Sequence, residues 1–100
     1  MKLTRTDKEA IKEGDSNYIL NKGANYYIHK DYENAVKYYH LASTMGNDIA
    51  TSNLGYCYLY GRSVEADTEL AITYFELASQ KNNVDACYKL GDIYSSDKWG

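Results

Sequence analysis

Hydrophobic residues recur every three or four positions in successive stretches of this chain, a spacing that places them on one face of an α-helix. Short runs rich in Gly, Asp and Asn separate the stretches, and these residues commonly start and end helices. The pattern predicts six helices, over residues 7–13, 16–29, 32–45, 49–60, 68–81 and 84–95. We therefore expect an all-α chain.

Individual residues mark the ends of these helices. Asp31, Asp48 and Asp67 stand where a side-chain oxygen can accept a hydrogen bond from the free amides of a first helical turn. Gly46 and Gly61 stand at helix ends, where the left-handed conformation open to glycine closes the last turn.

Two helical blocks alternate along the chain. The motif Leu54-Gly55-x-x-Tyr58 returns 36 residues later as Leu90-Gly91-x-x-Tyr94, and Lys22-Gly23-x-x-Tyr26 is a weaker upstream copy. Between these motifs, residues 35–43 and 71–79 share a second pattern of Ala, Tyr or Phe, and Leu. Units this small cannot bury their own apolar faces, so they stack on one another. The period predicts a helical solenoid, with an A helix and a B helix in each unit.

The N-terminal helix has features of a cap. Thr6-x-x-Glu9 has the form of a capping box, in which each residue satisfies a backbone amide of the other. The tail Ala10-x-x-x-Gly14 matches Ala42-x-x-x-Gly46 at the end of a B helix. We interpret this helix as a degenerate B helix of a preceding unit that now serves as a cap.

Helical-wheel positions predict the core. Ala50, Leu54, Cys57 and Tyr58 share one stripe of an A helix, and Gly55 is explained by close approach of the following B helix. On the B helices, small and large residues at helical spacing indicate packing. These B-helix positions are Ala35, Tyr38, Tyr39, Leu41, Ala42, Ala71, Tyr74, Phe75, Leu77 and Ala78.

One longer pattern spans residues 54–78 and reads Leu54-Gly55-x-x-Tyr58-x-x-Gly61-x-Ser63-Val64-x-x-Asp67-x-x-x-Ala71-x-x-Tyr74-Phe75-x-x-Ala78. It resembles a Sel1-like repeat, a relative of the tetratricopeptide repeat. The resemblance covers about residues 15–95, and the first unit, with a shorter loop, is similar to a tetratricopeptide repeat. It implies a right-handed solenoid of antiparallel helix pairs. We divide the single domain into a cap (6–14), unit one (15–47), unit two (48–83) and a partial unit three (84–100).

The resemblance also implies that the A helices line a concave face able to bind a peptide or protein. Rigid aromatic side chains are frequent binding hot spots, and several tyrosines lie on the stripe opposite the core. The candidate partner-binding residues are Asn17, Leu20, Tyr27, Ser52, Tyr56, Tyr60, Tyr88 and Asp92. The alternative is that these tyrosines pack between adjacent A helices.

Composition narrows the possible partners. The net charge is −3, and the 11 basic residues form no cluster, so we expect neither nucleic acid nor an anionic membrane as a partner. The N-terminal residues lack the apolar core of a signal peptide, and no apolar run reaches the length of a membrane span. We expect a cytoplasmic protein.

Catalytic chemistry is not indicated. The two histidines, His29 and His40, fit a helix end and a lightly packed helix surface, and neither forms a recognisable pair with Cys57 or Cys87. The cysteines do not have metal-ligand spacing, and their offset along neighbouring helices disfavours a disulfide. We expect free thiols, no metal, no cofactor and no enzymatic activity.

Two functions fit this reading. The first is an adaptor or scaffold that holds a protein or peptide on the concave face. The second is a structural subunit that self-assembles through the uncapped C-terminal helix, where no B helix would cover Leu90, Ile93 and Tyr94, with Trp99 nearby.

Overall fold

A computed structural model of the chain describes residues 2–95, and in this part it contains six α-helices and no strand. Their bounds are α1 (Arg5–Glu13), α2 (Ser16–Ile28), α3 (Tyr32–Thr44), α4 (Asp48–Tyr60), α5 (Thr68–Ser79) and α6 (Val84–Ser95). The predicted all-α architecture is confirmed, and most helix ends lie within two residues of their predicted positions. Trp99 lies outside the described residues. None of the helices within residues 2–95 has the length and apolar character needed to cross a bilayer.

Side-chain caps begin the helices as expected at two of three predicted positions. Asp31 and Asp67 each accept a hydrogen bond from the backbone amide three residues later. At α4 the prediction of Asp48 was wrong by one residue, because Asn47 is the N-cap and accepts from the amide of Ala50 at 3.0 Å. Asp48 instead provides an acidic side chain in the first turn, where its negative charge interacts favourably with the positive end of the helix dipole.

The helices stack as a solenoid. α2 packs along α3 and α4 along α5, while contacts of α3 with α4 and of α5 with α6 join the units. Stacking in one direction gives an elongated body of 48 × 26 × 18 Å.

Two glycines allow each A helix to approach its B helix closely. A Cβ atom on Gly55 would lie 2.7 Å from the Phe75 ring, and one on Gly23 would lie 2.9 Å from the Tyr39 ring. The predicted reason for Gly55 is therefore confirmed. A Cβ on Gly91 would meet no described atom within 4 Å, because no B helix follows α6 in residues 2–95.

The predicted core is largely confirmed. Ala50, Leu54 and Cys57 are buried, and the aromatic and alanine positions of α3 and α5 are buried with few exceptions. Tyr58 and Leu41 are half-buried. Leu77 was wrongly predicted to be a core residue, because the outer surface of α5 leaves it exposed.

The N-terminal capping box lies two residues earlier than predicted. The backbone amide of Asp7 donates to Thr4 Oγ1 at 3.1 Å, and the amide of Thr4 donates to Asp7 Oδ2 at 3.0 Å. The prediction of Thr6 and Glu9 was wrong because Asp7 is turned inward, where other parts of the fold supply partners for its carboxylate.

A buried ionic network attaches the cap to the first unit. Lys22 Nζ lies 2.8 Å and 3.0 Å from the two carboxylate oxygens of Asp7, and the Tyr38 hydroxyl donates to Asp7 at 2.7 Å. Burial alone would raise the pKa of Asp7, but the hydrogen bonds from Lys22, Tyr38 and Thr4 outweigh it and lower the pKa to about 2. The network explains why Lys22 replaces the leucine found at this position in the later copies of the motif.

Replacing Gly55 with Ala should destabilise the fold, because the Phe75 ring at 2.7 Å is fully buried and cannot move aside. Overpacking costs about 1–3 kcal/mol of stability. Replacing glycine with alanine in a helix gains about 1 kcal/mol in helix propensity. We expect a cost near the upper end of the range, so that the variant is less stable overall. Gly91→Ala is the matched control and should stabilise by up to about 1 kcal/mol, since nothing described opposes its Cβ. Urea unfolding followed by circular dichroism measures both. An unchanged Gly55→Ala or a destabilised Gly91→Ala would contradict this account.

Replacing Asp7 with Asn should lower the free energy of unfolding near neutral pH by about 1–3 kcal/mol, because the amide cannot replace the charged acceptor of Lys22 and Tyr38. The folded-state pKa of Asp7 lies below its usual value of 3.8. The carboxylate therefore stabilises the fold above about pH 4, and this contribution is lost as the pH falls to about 2. Denaturant unfolding of the wild type and of Asp7→Asn between about pH 4 and about pH 2 measures this effect. The difference between their free energies of unfolding should shrink as the pH falls, and a difference independent of pH would argue against the network.

Candidate functional site

A pocket of about 250 Å³ opens between the A helices of units one and two, and four residues line it. Tyr27 comes from α2, Asn53 and Tyr56 come from α4, and Tyr39 comes from α3. Tyr39 is buried and forms the floor, whereas the other three are half-buried and form the walls. The contact of the Tyr39 ring with Gly23 fixes this floor in place.

Aromatic contacts hold the walls rigid. The Tyr27 ring meets the Tyr32 ring edge-on, with centroids 4.9 Å apart. On the other wall, Tyr56 is edge-on to Phe75 at 5.0 Å and stacks with Tyr60 at 6.3 Å. Edge-to-face and offset-stacked pairs are the favoured arrangements of aromatic rings. A ligand would therefore meet surfaces that lose little conformational freedom on binding.

A cation borders the aromatic wall on α6. Lys89 Nζ lies 5.7 Å from the Tyr60 ring centroid and 6.0 Å from that of Tyr56, and it is 3.7 Å from an Asp92 carboxylate oxygen. Polar contact with Tyr60 raises the pKa of Lys89, so this side chain stays charged at neutral pH. The surface beside the pocket therefore passes from apolar rings to a cation paired with an acid.

The phenols of Tyr39 and Tyr56 are neutral hydrogen-bonding groups. Burial raises the pKa of Tyr39 to about 12. Burial also raises the pKa of Tyr56, and the nearby Asp85 adds to this effect. The Asn53 amide provides both a donor and an acceptor beside these rings. Together these groups can bind an apolar side chain and hydrogen-bond a neighbouring peptide group.

The cysteines do not add a nucleophile to the pocket. Cys57 and Cys87 are free thiols, as predicted. Cys57 is buried, and burial raises the pKa of its thiol to about 11, so the thiolate is scarce at neutral pH. Cys87 is exposed on α6.

The structure separates the eight candidate residues into four groups. Tyr27 and Tyr56 line the pocket, while Tyr60 and Asp92 lie beside it through their contacts with Lys89. Asn17 is exposed near the start of α2 and accepts a hydrogen bond from the Asn47 side chain at 3.0 Å.

Leu20, Ser52 and Tyr88 occupy equivalent positions in the three A helices, and two of them are buried. Leu20 and Ser52 are buried, and Ser52 lies one turn before Gly55. A side chain that is buried at this position is not free to contact a partner. Tyr88 is exposed because the described part of the chain has no B helix after α6. We leave these three residues out of the proposed groove.

Sequence reasoning missed two residues of the pocket. Asn53 is half-buried between the buried Ser52 and Leu54, and a polar residue within such a run is a signal that could have indicated it. Tyr39 was assigned to the core, which is correct, but the gap between α2 and α4 leaves one edge of the ring facing the pocket.

Alanine substitutions should distinguish the two tyrosines of the α4 wall. Tyr56→Ala should destabilise the fold by about 2 kcal/mol, because it removes a half-buried ring from its contact with Phe75. Tyr60→Ala should change stability by less than about 0.5 kcal/mol, since its side chain is exposed. Thermal unfolding of both variants measures this. Equal losses would show that Tyr60 is also a packing residue.

Comparison with known proteins is consistent with this architecture. The family model of the Sel1 repeat matches residues 14–47, 49–83 and 84–97. None of the curated proteins compared with the chain matches it. Sel1 repeats are helical, non-catalytic repeat scaffolds that generally mediate protein–protein interaction. Because three consecutive matches cover most of its length, the chain belongs to the Sel1 repeat family.

Proposed function

We propose that this chain is an adaptor that binds a segment of a partner protein in the groove between α2 and α4. The observation that carries the proposal is the pocket of about 250 Å³ lined by Tyr27, Tyr39, Asn53 and Tyr56. Its aromatic walls are held by neighbouring rings, and tyrosine is a common residue of protein-binding hot spots.

The chemistry of the pocket suits a peptide segment. The volume fits one apolar side chain, whereas pockets for drug-sized molecules are usually about 300–1,000 Å³. The Asn53 amide can donate to and accept from a peptide group next to that side chain. The walls would contribute apolar contact area, and Asn53 would fix the orientation of the segment.

The charge of the groove also affects the choice of partner. Lys89 and Asp92 neutralise each other in part at 3.7 Å, so neither leaves a strong single-sign field at this border. We therefore propose that an apolar anchor supplies most of the affinity, with only a weak dependence on salt concentration.

Selection of binders from a random peptide library, followed by affinity measurements on groove variants, tests the proposal. Asn53→Ala and Tyr60→Ala should each weaken the selected peptides by about tenfold, because each removes a contact worth about 1–2 kcal/mol. Tyr94→Ala is the matched control, since Tyr94 is 53% exposed and Tyr60 is 55% exposed. It should leave binding unchanged.

Peptides that bind equally well to both groove variants would overturn the proposal. So would peptides that lose affinity only with Tyr94→Ala, because Tyr94 belongs to α6 and does not line the pocket. Circular dichroism of each variant verifies that the fold is retained.

A further inference from the structure

A cation lies at the edge of the groove, on the side of unit one. Arg62 Cζ lies 5.2 Å from the centroid of the Tyr32 ring, which stands at the start of α3. The Tyr32 ring in turn meets the ring of Tyr27, a wall of the pocket, with centroids 4.9 Å apart. The two distances together place the Arg62 guanidinium at most about 10 Å from the Tyr27 ring.

The loop that carries Arg62 is longer than its counterpart in unit one, and its start is fixed. The loop between α4 and α5 runs over residues 61–67, whereas the loop between α2 and α3 runs over residues 29–31. Gly61 ends α4 in the left-handed conformation, and the backbone amide of Arg62 then donates to the Cys57 carbonyl at 2.9 Å. The end of α4 therefore holds the backbone of Arg62 in place.

The charge of Arg62 is not balanced by the part of the chain that the structure describes. No carboxylate oxygen of residues 2–95 lies within 4.0 Å of its guanidinium nitrogens. The acids on either side of Tyr32 have other partners. Asp31 accepts two hydrogen bonds from Asn34, and Glu33 lies 3.3 Å from a lysine one turn further along α3. Arg62 is exposed, and stacking on a ring leaves the donors at the edge of its guanidinium open to a ligand.

The two sides of the groove differ in charge. On the α4 wall, Lys89 lies 3.7 Å from an Asp92 carboxylate oxygen, and a second acid, Asp85, lies near Tyr56. On the other side, Arg62 is a cation without such a partner among residues 2–95. A negative charge on a ligand is therefore favoured on the side of unit one and disfavoured beside α6.

We propose that the segment bound in the groove carries an Asp or Glu side chain that pairs with Arg62, two or three residues from the side chain that fills the pocket. This proposal rests on the proposed function and adds the charge of the partner to it. An extended chain advances about 3.3–3.6 Å per residue, so about 10 Å corresponds to about three residues.

The chemistry of Arg62 favours a carboxylate. One guanidinium balances the single negative charge of a carboxylate, and its planar donors match the two carboxylate oxygens. Because Arg62 is exposed, the bound chain can continue past it, as an acidic residue within a segment requires.

The ion pair adds selectivity to an apolar anchor that supplies most of the affinity. Pairs between exposed groups are weak, and the strongest of them change an affinity by about fivefold. The Tyr32 ring already holds the guanidinium, so less freedom is lost when the pair forms. We therefore expect the acidic residue to change the affinity of a segment by about threefold to fivefold.

A double-mutant cycle between the intact chain and a peptide tests the pairing. The probes are peptides that bind the groove, selected from the random library and synthesised with amidated C-termini. They should carry Asp or Glu two or three positions from an apolar residue. Replacing that acid with the corresponding amide should weaken binding to the wild type by about threefold to fivefold, and binding to Arg62→Gln by less than about 1.5-fold.

Lys12→Gln is the matched control for the loss of one positive charge. Lys12 is exposed on α1, which contributes no residue to the pocket. This variant should leave the effect of the acidic residue unchanged. Neither Arg62 nor Lys12 is buried, so circular dichroism should show both variants folded.

An effect of the acid that is equally large in the wild type and in Arg62→Gln would overturn the pairing. Groove-binding peptides that lack an acid near the anchor, or that need a free C-terminal carboxylate instead, would overturn it as well. Asn53→Ala and Tyr60→Ala distinguish this failure from that of the proposed function. Peptides that lose affinity with these variants but not with Arg62→Gln overturn the pairing alone, whereas peptides insensitive to all three overturn both proposals.

Discussion

The contact of an aromatic ring with a helical glycine is the constraint on which the rest of this structure depends. Phe75 lies on Gly55 and Tyr39 lies on Gly23, so each A helix and its B helix approach more closely than a Cβ would allow. A glycine in a helix costs about 1 kcal/mol of helix propensity. The buried ring area that it permits is larger in free energy, at about 1.5–3 kcal/mol for a fully buried apolar side chain. The close pairs then stack into a solenoid.

The same contact creates the groove. The Tyr39 ring, which packs on Gly23, also forms the floor of the pocket between α2 and α4. Phe75, which packs on Gly55, makes an edge-to-face contact with Tyr56 on the pocket wall. The binding surface is therefore positioned by rings that belong to the core, and a ligand would meet it without repacking. This arrangement links the packing of each unit directly to the proposed function.

The two ends of the stack are chemically different. At the N-terminal end the Asp7 carboxylate replaces the ring; Lys22 balances its charge, and the Tyr38 hydroxyl donates a hydrogen bond to it. On α6, no ring from residues 2–95 packs on Gly91.

The sequence was sufficient to predict the helices, their order and the reason for Gly55, because these depend on local periodicity and on repeated motifs. It was not sufficient for Asp7 and Lys22, which lie 15 residues apart and meet only through the fold. It also listed Leu20 and Ser52 as partner-binding residues although both are buried, because a helical wheel assigns residues to a face and does not show how deeply each is buried. Asn53 was missed because its role depends on the gap between two helices rather than on its own helix.

Chemical-shift mapping by NMR with a library-selected peptide would test whether the groove held by the ring–glycine contacts is the binding surface. We expect the side-chain amide signals of Asn53 and the backbone amide signals of α2 and α4 around the pocket to shift together on titration, while the signals of α1 remain unchanged. Shifts confined to α1 or to α6, with the Asn53 side chain unaffected, would contradict it.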